Sequence, residues 1–547
     1  MLSSYVARLV GLVCLLTYVS VTPLLAQFES ATVLGTIRDS TGGVIANASV
    51  TLENTTTGVQ SKTTTDSNGD YQFVNQRLGS YRVRVEAPGF ETTTASNFDL
   101  QVNARQRVDL TLNVGQTTQN VTVTGAAALL ETDSSSRGQV INPRQIVELP
   151  LNGRNYSDLT LLVPGVALSP LENQSDSSRE GSFNVNGLRS EYSNFLLDGI
   201  DNNAYGTSNQ GFANEVIQPN PDALAEFKVE TDNYSAEYGR APGAVINATI
   251  KSGTNQFHGE LWEFFRNTAL NSTGFFRPVT GNKLPFNQNQ FGGAFGGPIV
   301  KNKMFFFGDY EAFRRVYHQP LFATLPTAAA KTGDLSGYFR SGQNPTIQNP
   351  ITGAVYPNGI VPQSAITPFA QAVLSALPTP NLPGTANNYE SAPADTTNTD
   401  KGDGRFDYYI SQKVSLFVRY SQNETSIFSP PAIPGPAGGN ANGNVYIRNK
   451  QAVPGITWTI SPTSILEARV GADYTEGGKN PIALGTPIGG FAVPNLPADS
   501  SVAGGLYSLN MAGGLSQFGR QNSNPQYQDP LVIDPKVNFT KIVGRHS

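Results

Sequence analysis

Residues Arg405 to Tyr420 read RFDYYISQKVSLFVRY. Phe406, Tyr408 and Ile410 alternate with Arg405, Asp407 and Tyr409. Ser411 to Lys413 turn the chain, and Val414, Leu416, Val418 and Tyr420 then alternate with Ser415, Phe417 and Arg419. A period of two puts one set of side chains on each face of a strand, so this is an antiparallel pair with one greasy and one wet face. The pattern recurs. Ile456–Ile460 leads through the turn SPTS into Leu466, Ala468, Val470, Ala472 and Tyr474, set against Glu467, Arg469, Gly471 and Asp473. Upstream, Met304, Phe306, Gly308, Tyr310 and Ala312 oppose Phe307, Asp309 and Glu311. A soluble sandwich also alternates. Aromatic residues placed near strand ends (Tyr408, Tyr420, Trp458, Tyr474) and arginines on the opposite face favour strands that cross a bilayer around a wet lumen, about nine to eleven residues each. The short turns SQK and SPTS contrast with a long Pro-, Thr- and Asn-rich connection, as in outer-membrane barrels with short inner turns and long outer loops. The reading is a barrel over 256–547 with an outer loop at about 314–402.

The rest of the chain agrees with a β-rich, exported protein. Only 14% of the 547 residues are charged, while 54 Gly and 36 Pro supply turns. That composition disfavours a helical bundle and a charged disordered tail. A net charge of −5 provides no basic field for nucleic acid. The single cysteine, Cys14, lies in Met1–Ala26, where Arg8 precedes the apolar run LVGLVCLLTYVSV and Pro23 and Ala26 close a cleavage site. This reads as a signal peptide (1–26), too short for a membrane span. The mature chain then has no thiol for a disulfide, a metal or catalysis. With three histidines, no HExxH and no phosphate loop, no cofactor and no enzyme are expected.

Residues 29–114 carry short alternating strands. In GSYRVRVEAPGF, Tyr81, Val83 and Val85 share one face and Arg82 and Arg84 the other. Asn68-Gly69 signals a hairpin of type I′. Asp66, Asn68 and Asp70 lack the glycine placement and the distant Glu of a calcium loop. Gly35, Asp39, Gly42, Ala48, Val50, Asp66, Gly69, Tyr71, Phe73, Tyr81, Val83, Gly89 and Phe90 form a pattern that resembles the carboxypeptidase regulatory-like domain. That resemblance implies a seven-strand transthyretin-like sandwich without catalytic residues.

Between 121 and 255 the chain offers a polar connector (Ala126–Ser136), a helical turn (Pro143–Leu149), a loop (Ser169–Arg179), a helix start at Pro219–Glu226 followed by the strand FKVET, and Asn/Gly turns. Asn152, Gly153 and Arg154 lie in ELPLNGRN; Asn186, Gly187 and Arg189 in FNVNGLR; Asp198, Gly199 and Asp201 in FLLDGIDN; Glu237, Gly239 and Arg240 in SAEYGR; Lys251 and Gly253 in IKSGTN. Read singly, most are turn residues that tolerate left-handed backbone. In this order, from Glu148 to Gly259, they resemble the plug of TonB-dependent outer-membrane receptors, and more closely the Oar-like group, in which a regulatory-like sandwich precedes the plug. Asp198, Asp201, Glu226 and Glu237 read as solvated turn or lumen-facing charges rather than a cation site.

The fold expected is therefore mainly β: an N-terminal transthyretin-like β-sandwich, an α+β plug domain, then the first part of a transmembrane antiparallel β-barrel. The family's barrel has 22 strands; about eight to ten are legible here, and the chain ends KIVGRHS without a terminal aromatic. The expectation is an N-terminal fragment of a receptor. The resemblance implies uptake of a scarce or large extracellular ligand (carbohydrate, siderophore, peptide or protein) through a plugged barrel in outer-membrane lipid, energised by the TonB-ExbB-ExbD system. Thr118–Thr124 is the best candidate for the segment that TonB grips by strand addition. The competing readings are an exported β-sandwich adhesin or surface carbohydrate-binding protein, and a carbohydrate-handling enzyme, for which no carboxylate constellation is seen.

Overall fold

The computed structural model describes residues 31–542, apart from 116–119, 124–135, 169–182, 190–191, 205–213, 236–237, 240, 273–282, 341–342, 344, 350, 462, 483, 485–490, 494–504 and 512. The expected signal peptide, most of the connector, the Ser169–Arg179 loop, Glu237 and Arg240 lie outside the described residues.

The first domain is a two-sheet sandwich. Ala31–Asp39 pairs with Asp70–Gln76, Arg105–Arg107 and Leu110–Leu112 in one sheet. Gly79–Glu86 pairs with Ser49–Asn54, Thr92–Ala95 and Phe98–Leu100 in the other. Tyr81, Val83 and Val85 enter a core with Val33, Ile37, Val50 and Leu52, each buried aliphatic contributing about 1.5–3 kcal/mol. Arg82 stays outside and pairs with Glu53 across the strand at 2.9 Å.

The Asn68-Gly69 turn corrects the sequence reading. Gln60–Thr64 pairs in one sheet and Asp70–Gln76 in the other, so the turn crosses between sheets and closes no hairpin. Gly69 alone is left-handed, at φ +73°. Asp66 fixes the turn by accepting from the backbone N–H of Asn68 and Asp70 at 2.8 and 2.9 Å, an Asx device that removes the need for a left-handed Asn.

In the second domain Arg137–Ile141, Leu224–Asp232, Val245–Ile250, Asn194–Leu197 and Ile200–Asp201 form one sheet in that order. Val245–Ile250 is buried along its whole length, as befits a central strand. The helix Pro143–Glu148 starts at Asn142, whose side chain and that of Gln145 form a reciprocal capping box, and it buries Ile146. Asp222, placed by sequence at a helix start, lies in the short 3-10 turn Pro221–Ala223, and the strand begins at once at Leu224.

The third part is a nine-stranded sheet, among the described residues. His258–Asn267, Phe286–Val300, Met304–His318, Ala394–Tyr409, Val414–Ser429, Gly443–Ser461 and Ser464–Asn480 pair in sequence, and Gln526–Gln528 and Leu531–Lys541 pair with the last of these. Its concave face buries Glu311, Asp407, Arg419 and Glu467, while Leu261, Val418, Trp458, Val470 and Phe539 are exposed outside. A soluble sandwich would be dry inside; this sheet is wet inside and apolar outside, as a lipid-facing barrel wall must be. The strands are longer than expected, 15 to 19 residues for several. As a result Tyr420 and Tyr474 sit within strands and not at their ends. Leu466 to Tyr474 spans roughly 26 Å along the strand at about 3.3 Å per residue, which matches an apolar band between aromatic girdles with polar strand continuing above it.

Short turns at 301–303 and 410–413, and the close pairing of Ser461 with Ser464, mark one end. The other end carries the long connections, which are folded. The strand expected to stop near Phe313 runs to His318 and resumes at Ala394. Between them, the helix Pro368–Ala376 packs Val373 and Leu377 against Leu325, Ile433, Phe491, Leu506 and Phe518 from three outer connections. These connections form one cap.

Candidate functional site: the ionic contact between plug and barrel

The turn Asp198–Asp201 is the hub. Asp198 and Gly199 adopt φ +49° and +71°, which project the turn from the plug sheet towards the wall. Five neighbouring wall strands grip it. Arg405 pairs with Asp198 Oδ1 at 2.9 Å, and Arg419 with Asp198 Oδ2 at 2.6 Å. Gln451 Nε2 donates to the Asp201 carbonyl at 3.2 Å, Arg469 to the Asp198 carbonyl at 2.7 Å, and Lys536 to the Gly199 carbonyl at 2.9 Å. Ile200 packs against Phe417 and Val453. Gly471 makes room for it: a Cβ there would come within 2.2 Å of Ile200 Cγ2.

A second cluster forms around Arg154. Its Nε donates to Glu311 at 2.7 Å and its Nη2 to Asp222. The guanidinium lies over Trp262 and Phe264 at 4.9 and 4.8 Å from their centroids. Glu311 is fully buried, and it also takes Lys401 at 3.2 Å, Gln290 at 2.9 Å and Trp262 Nε1 at 3.1 Å. Buried charge is tolerable only when so paired. Asn220 donates to Asp309, and Asn449 to the Val216 carbonyl, between the same two domains.

Inside the plug, Tyr156 donates to Glu215. Burial pushes the Glu215 carboxyl up to about 7, against the lowering effect of Tyr156 and Ser157. Glu226 is likewise raised to about 7 by burial, partly opposed by the Val102 N–H that it accepts.

The sequence-derived residues take distinct places. Arg154 and Asp198 are in the ionic contact. Asp201 accepts from Asn203 at 2.8 Å and donates its own N–H to Asp534. Gly153 offers its carbonyl to Gln290 at 3.1 Å; Asn152 is exposed. Asn186 and Gly187 form a left-handed turn, with Asn186 reaching the Thr231 carbonyl at 3.0 Å, and Arg189 is exposed beside it. Gly239 accepts from Asn194 at 3.1 Å, and Lys251 lies 3.8 Å from Glu260. Gly253 passes so close to the wall that a Cβ would meet the Phe306 and Gly297 carbonyl oxygens at 2.3 and 2.6 Å. Among the described residues Asp198, Asp201 and Glu226 do not gather as a cation site; Asp198 faces the arginines of the barrel wall, and Asp198 and Glu226 are buried and partnered, not solvated. Asn120–Val123, within the segment proposed for TonB, pairs in parallel with Thr92–Ala95 of the sandwich; Thr118, Gln119 and Thr124 lie outside the described residues. The sequence reading missed Asp222, Lys401 and Arg77 as partners. The legible signal was a charged residue on the wet face of a strand in a narrow lumen, which requires a counter-charge.

The family model of the outer membrane beta barrel domain matches residues 249–547, that of the TonB-dependent receptor plug domain 130–245, and that of the carboxypeptidase regulatory-like domain 32–113. The chain belongs to the TonB-dependent outer-membrane receptors. The receptor is 27% identical over 308 residues to the TonB-dependent transporter Oar of Myxococcus xanthus, covering 53% of this chain and 27% of that protein's length. Among solved structures it is similar to the outer membrane transporter YddB of Escherichia coli (14% identity, 63% of this chain and 40% of that one, TM-score 0.40) and to the siderophore receptor PirA of Acinetobacter baumannii (13%, 74% and 44%, TM-score 0.41). The receptor chain thus spans about a quarter of the curated relative and under half of these structures. The barrel and plug models and the curated relative are those of receptors and transporters.

Proposed function

We propose that this receptor is a plug-gated transporter, delivered to the outer membrane by its N-terminal signal peptide and energised by the TonB-ExbB-ExbD system acting near Thr118–Thr124. The outer cap receives a scarce or large solute: a siderophore, an oligosaccharide or a peptide, with protein movement as a further cargo class. The plug blocks the lumen until it is pulled. The motif residues of the plug, Asn152 to Gly253, serve by holding turns and charges where the wall meets them.

The observation that carries this reading is the Asp198–Asp201 turn, held by charged and amide side chains of five wall strands. Such a contact is directional and separates without exposing a large apolar surface. The test is solute accumulation in cells with and without the gene, each with and without tonB. Uptake of at least one labelled solute that needs both genes is expected. Equal accumulation in all four strains, across all the solute classes named, refutes the reading.

A further inference from the structure

Three turns at one end of the sandwich reach the plug and the short-turn end of the barrel. The first follows Ser49–Asn54, where the Thr56 and Thr57 carbonyls accept from Asn255 at 3.1 and 2.8 Å. Asn255 is in turn bonded to Asn302 of the 301–303 turn at 2.6 Å. The second follows Phe98–Leu100, where the Val102 N–H donates to Glu226 and Asn103 donates to Tyr238, both in the plug. The third is the tip between Asp70–Gln76 and Gly79–Glu86. It carries Arg77, whose carbonyl is held by Tyr81 Oη at 2.8 Å.

Arg77 leaves its own domain. Its guanidinium pairs with Asp407 on the barrel wall, reaches Tyr409 Oη at 3.4 Å, and lies over the Tyr409 and Phe417 rings at 5.1 and 5.8 Å. Asp407 is fully buried. Its other oxygen accepts from Ser252, at the exit of the plug, at 2.6 Å, and Arg405 Nε lies 3.1 Å away. Asp407 is therefore touched by all three domains. Arg405 is divided: it serves Asp407 on its own strand, and also Asp198 and the Ile250 carbonyl of the plug, each at 2.9 Å. Among the described residues Arg77 and Arg405 are the cations paired with Asp407.

We propose that Arg77 is a positioning residue for the plug. The docked sandwich supplies Asp407 with a second cation, so that Arg405 is shared between Asp407 and Asp198. When the sandwich withdraws, a buried carboxylate cannot stay short of positive charge, so Arg405 turns towards Asp407 and its grip on the plug slackens. The regulatory-like domain thus acts as a latch on the gate, and its displacement is coupled to plug release. The proposal rests on the reading of the middle domain as a gate.

The test uses the receptor in outer membranes of tonB-deleted cells, so that energised opening plays no part. Wild type, Arg77→Ala and Arg77→Lys are compared at equal receptor levels. The two readouts are amide exchange of the plug strand Val245–Ile250 and susceptibility of the cells to vancomycin, which enters only through an opened lumen. Arg77→Ala is expected to speed exchange in 245–250 roughly fivefold to tenfold, the effect of losing one charge-assisted pair, and to sensitise the cells. Arg77→Lys, which keeps the charge, should restore most of both. Faster exchange confined to sandwich strands, with 245–250 and susceptibility unchanged, overturns the proposal and makes Arg77 a simple domain contact. Loss of receptor from the membrane in Ala but not Lys, with 245–250 unchanged in the folded remainder, overturns it as well. Loosening of the plug in a receptor for which no solute shows TonB-dependent uptake would leave the coupling standing and remove the transport reading.

Discussion

Separating Arg154 from Glu311 measures how firmly the wall holds the plug. Arg154 Nε lies 2.7 Å from Glu311 Oε2, and both side chains are at most 9% exposed. With charge centres about 4 Å apart and an effective dielectric near 20, the Coulomb attraction is about 4 kcal/mol. Desolvation offsets part of it, and the partners that remain share the rest: Glu311 keeps Lys401, and Arg154 keeps Asp222. A coupling of about 2–3 kcal/mol is the expected remainder, within the range of buried charge pairs across protein interfaces. That corresponds to roughly 30- to 150-fold in the plug-release equilibrium. The assay is a double-mutant cycle of Arg154→Ala, Glu311→Gln and the pair, in receptor solubilised from outer membranes. Urea titration would follow amide exchange in the plug strands, with wall strands as the internal reference. Each single variant should release the plug at lower urea, and the double should be much less than additive. Additivity within about 0.5 kcal/mol would show that the two charges do not hold each other across the gate.

Three further outcomes follow from the same geometry. Glu215 has a folded pKa of about 7, raised above its ordinary 4.5 by burial; a raised carboxyl contributes stability that is full below about 4.5 and lost as pH climbs through 7. Plug stability in urea should therefore fall between pH 5 and 8, by up to about 3 kcal/mol from Glu215 with a further fall of the same sign from Glu226; the fall should be less in Glu215→Gln and least in the double variant with Glu226→Gln, whose amide oxygen can still accept from Val102. Gly253→Ala should strongly reduce folded receptor in the membrane, because its Cβ would meet two backbone oxygens inside 2.7 Å that cannot swing aside; quantitation of heat-modifiable receptor on gels checks this. Val470→Arg, on the outer face of its strand, should cost about 2–4 kcal/mol if that face meets lipid and under about 0.5 kcal/mol if it meets water, as read from folding titrations in bilayers.

The sequence disclosed faces and turns better than partners. A period of two assigns Arg405, Asp407, Phe417, Arg419, Glu467 and Asp473 to one face without reference to any other segment, and that face is the lumen. Left-handed turns were legible at Gly153, Asn186, Gly187, Asp198 and Gly199 because Asn, Asp and Gly tolerate that backbone; Asn152, expected with them, is not left-handed, and Arg154 is, at φ +53°. The same rule misread Asn68-Gly69, since a carboxylate two residues upstream stabilised a different turn. Partners across domains were hidden. Arg154 meets Glu311 across 157 positions, and Arg77 meets Asp407 across 330; no local periodicity encodes such a separation. Strand lengths were underestimated because polar segments such as Thr396–Lys401 continue the ladder above the apolar band.

The character of the gate follows from what the wall chooses to hold. Among the described residues the buried apolar cluster at the hub is Ile200, Phe417 and Val453, whereas the wall's arginines, lysine and glutamine address one carboxylate and three backbone carbonyls. A hydrophobic contact weakens in proportion to the area exposed, so a plug held that way would yield gradually and would leave apolar surface in the lumen. Charge pairs behave otherwise. At an effective dielectric near 20 a close pair is worth about 4 kcal/mol, and in water about 1 kcal/mol. The first pair that admits water therefore weakens its neighbours. Asp198 binds two arginines, one of which also serves Asp407, so hydration at either carboxylate passes to the other through a shared guanidinium. Such a contact is stiff while dry and gives way as a unit once wet, which is the mechanical behaviour that the proposed pulling of the plug requires.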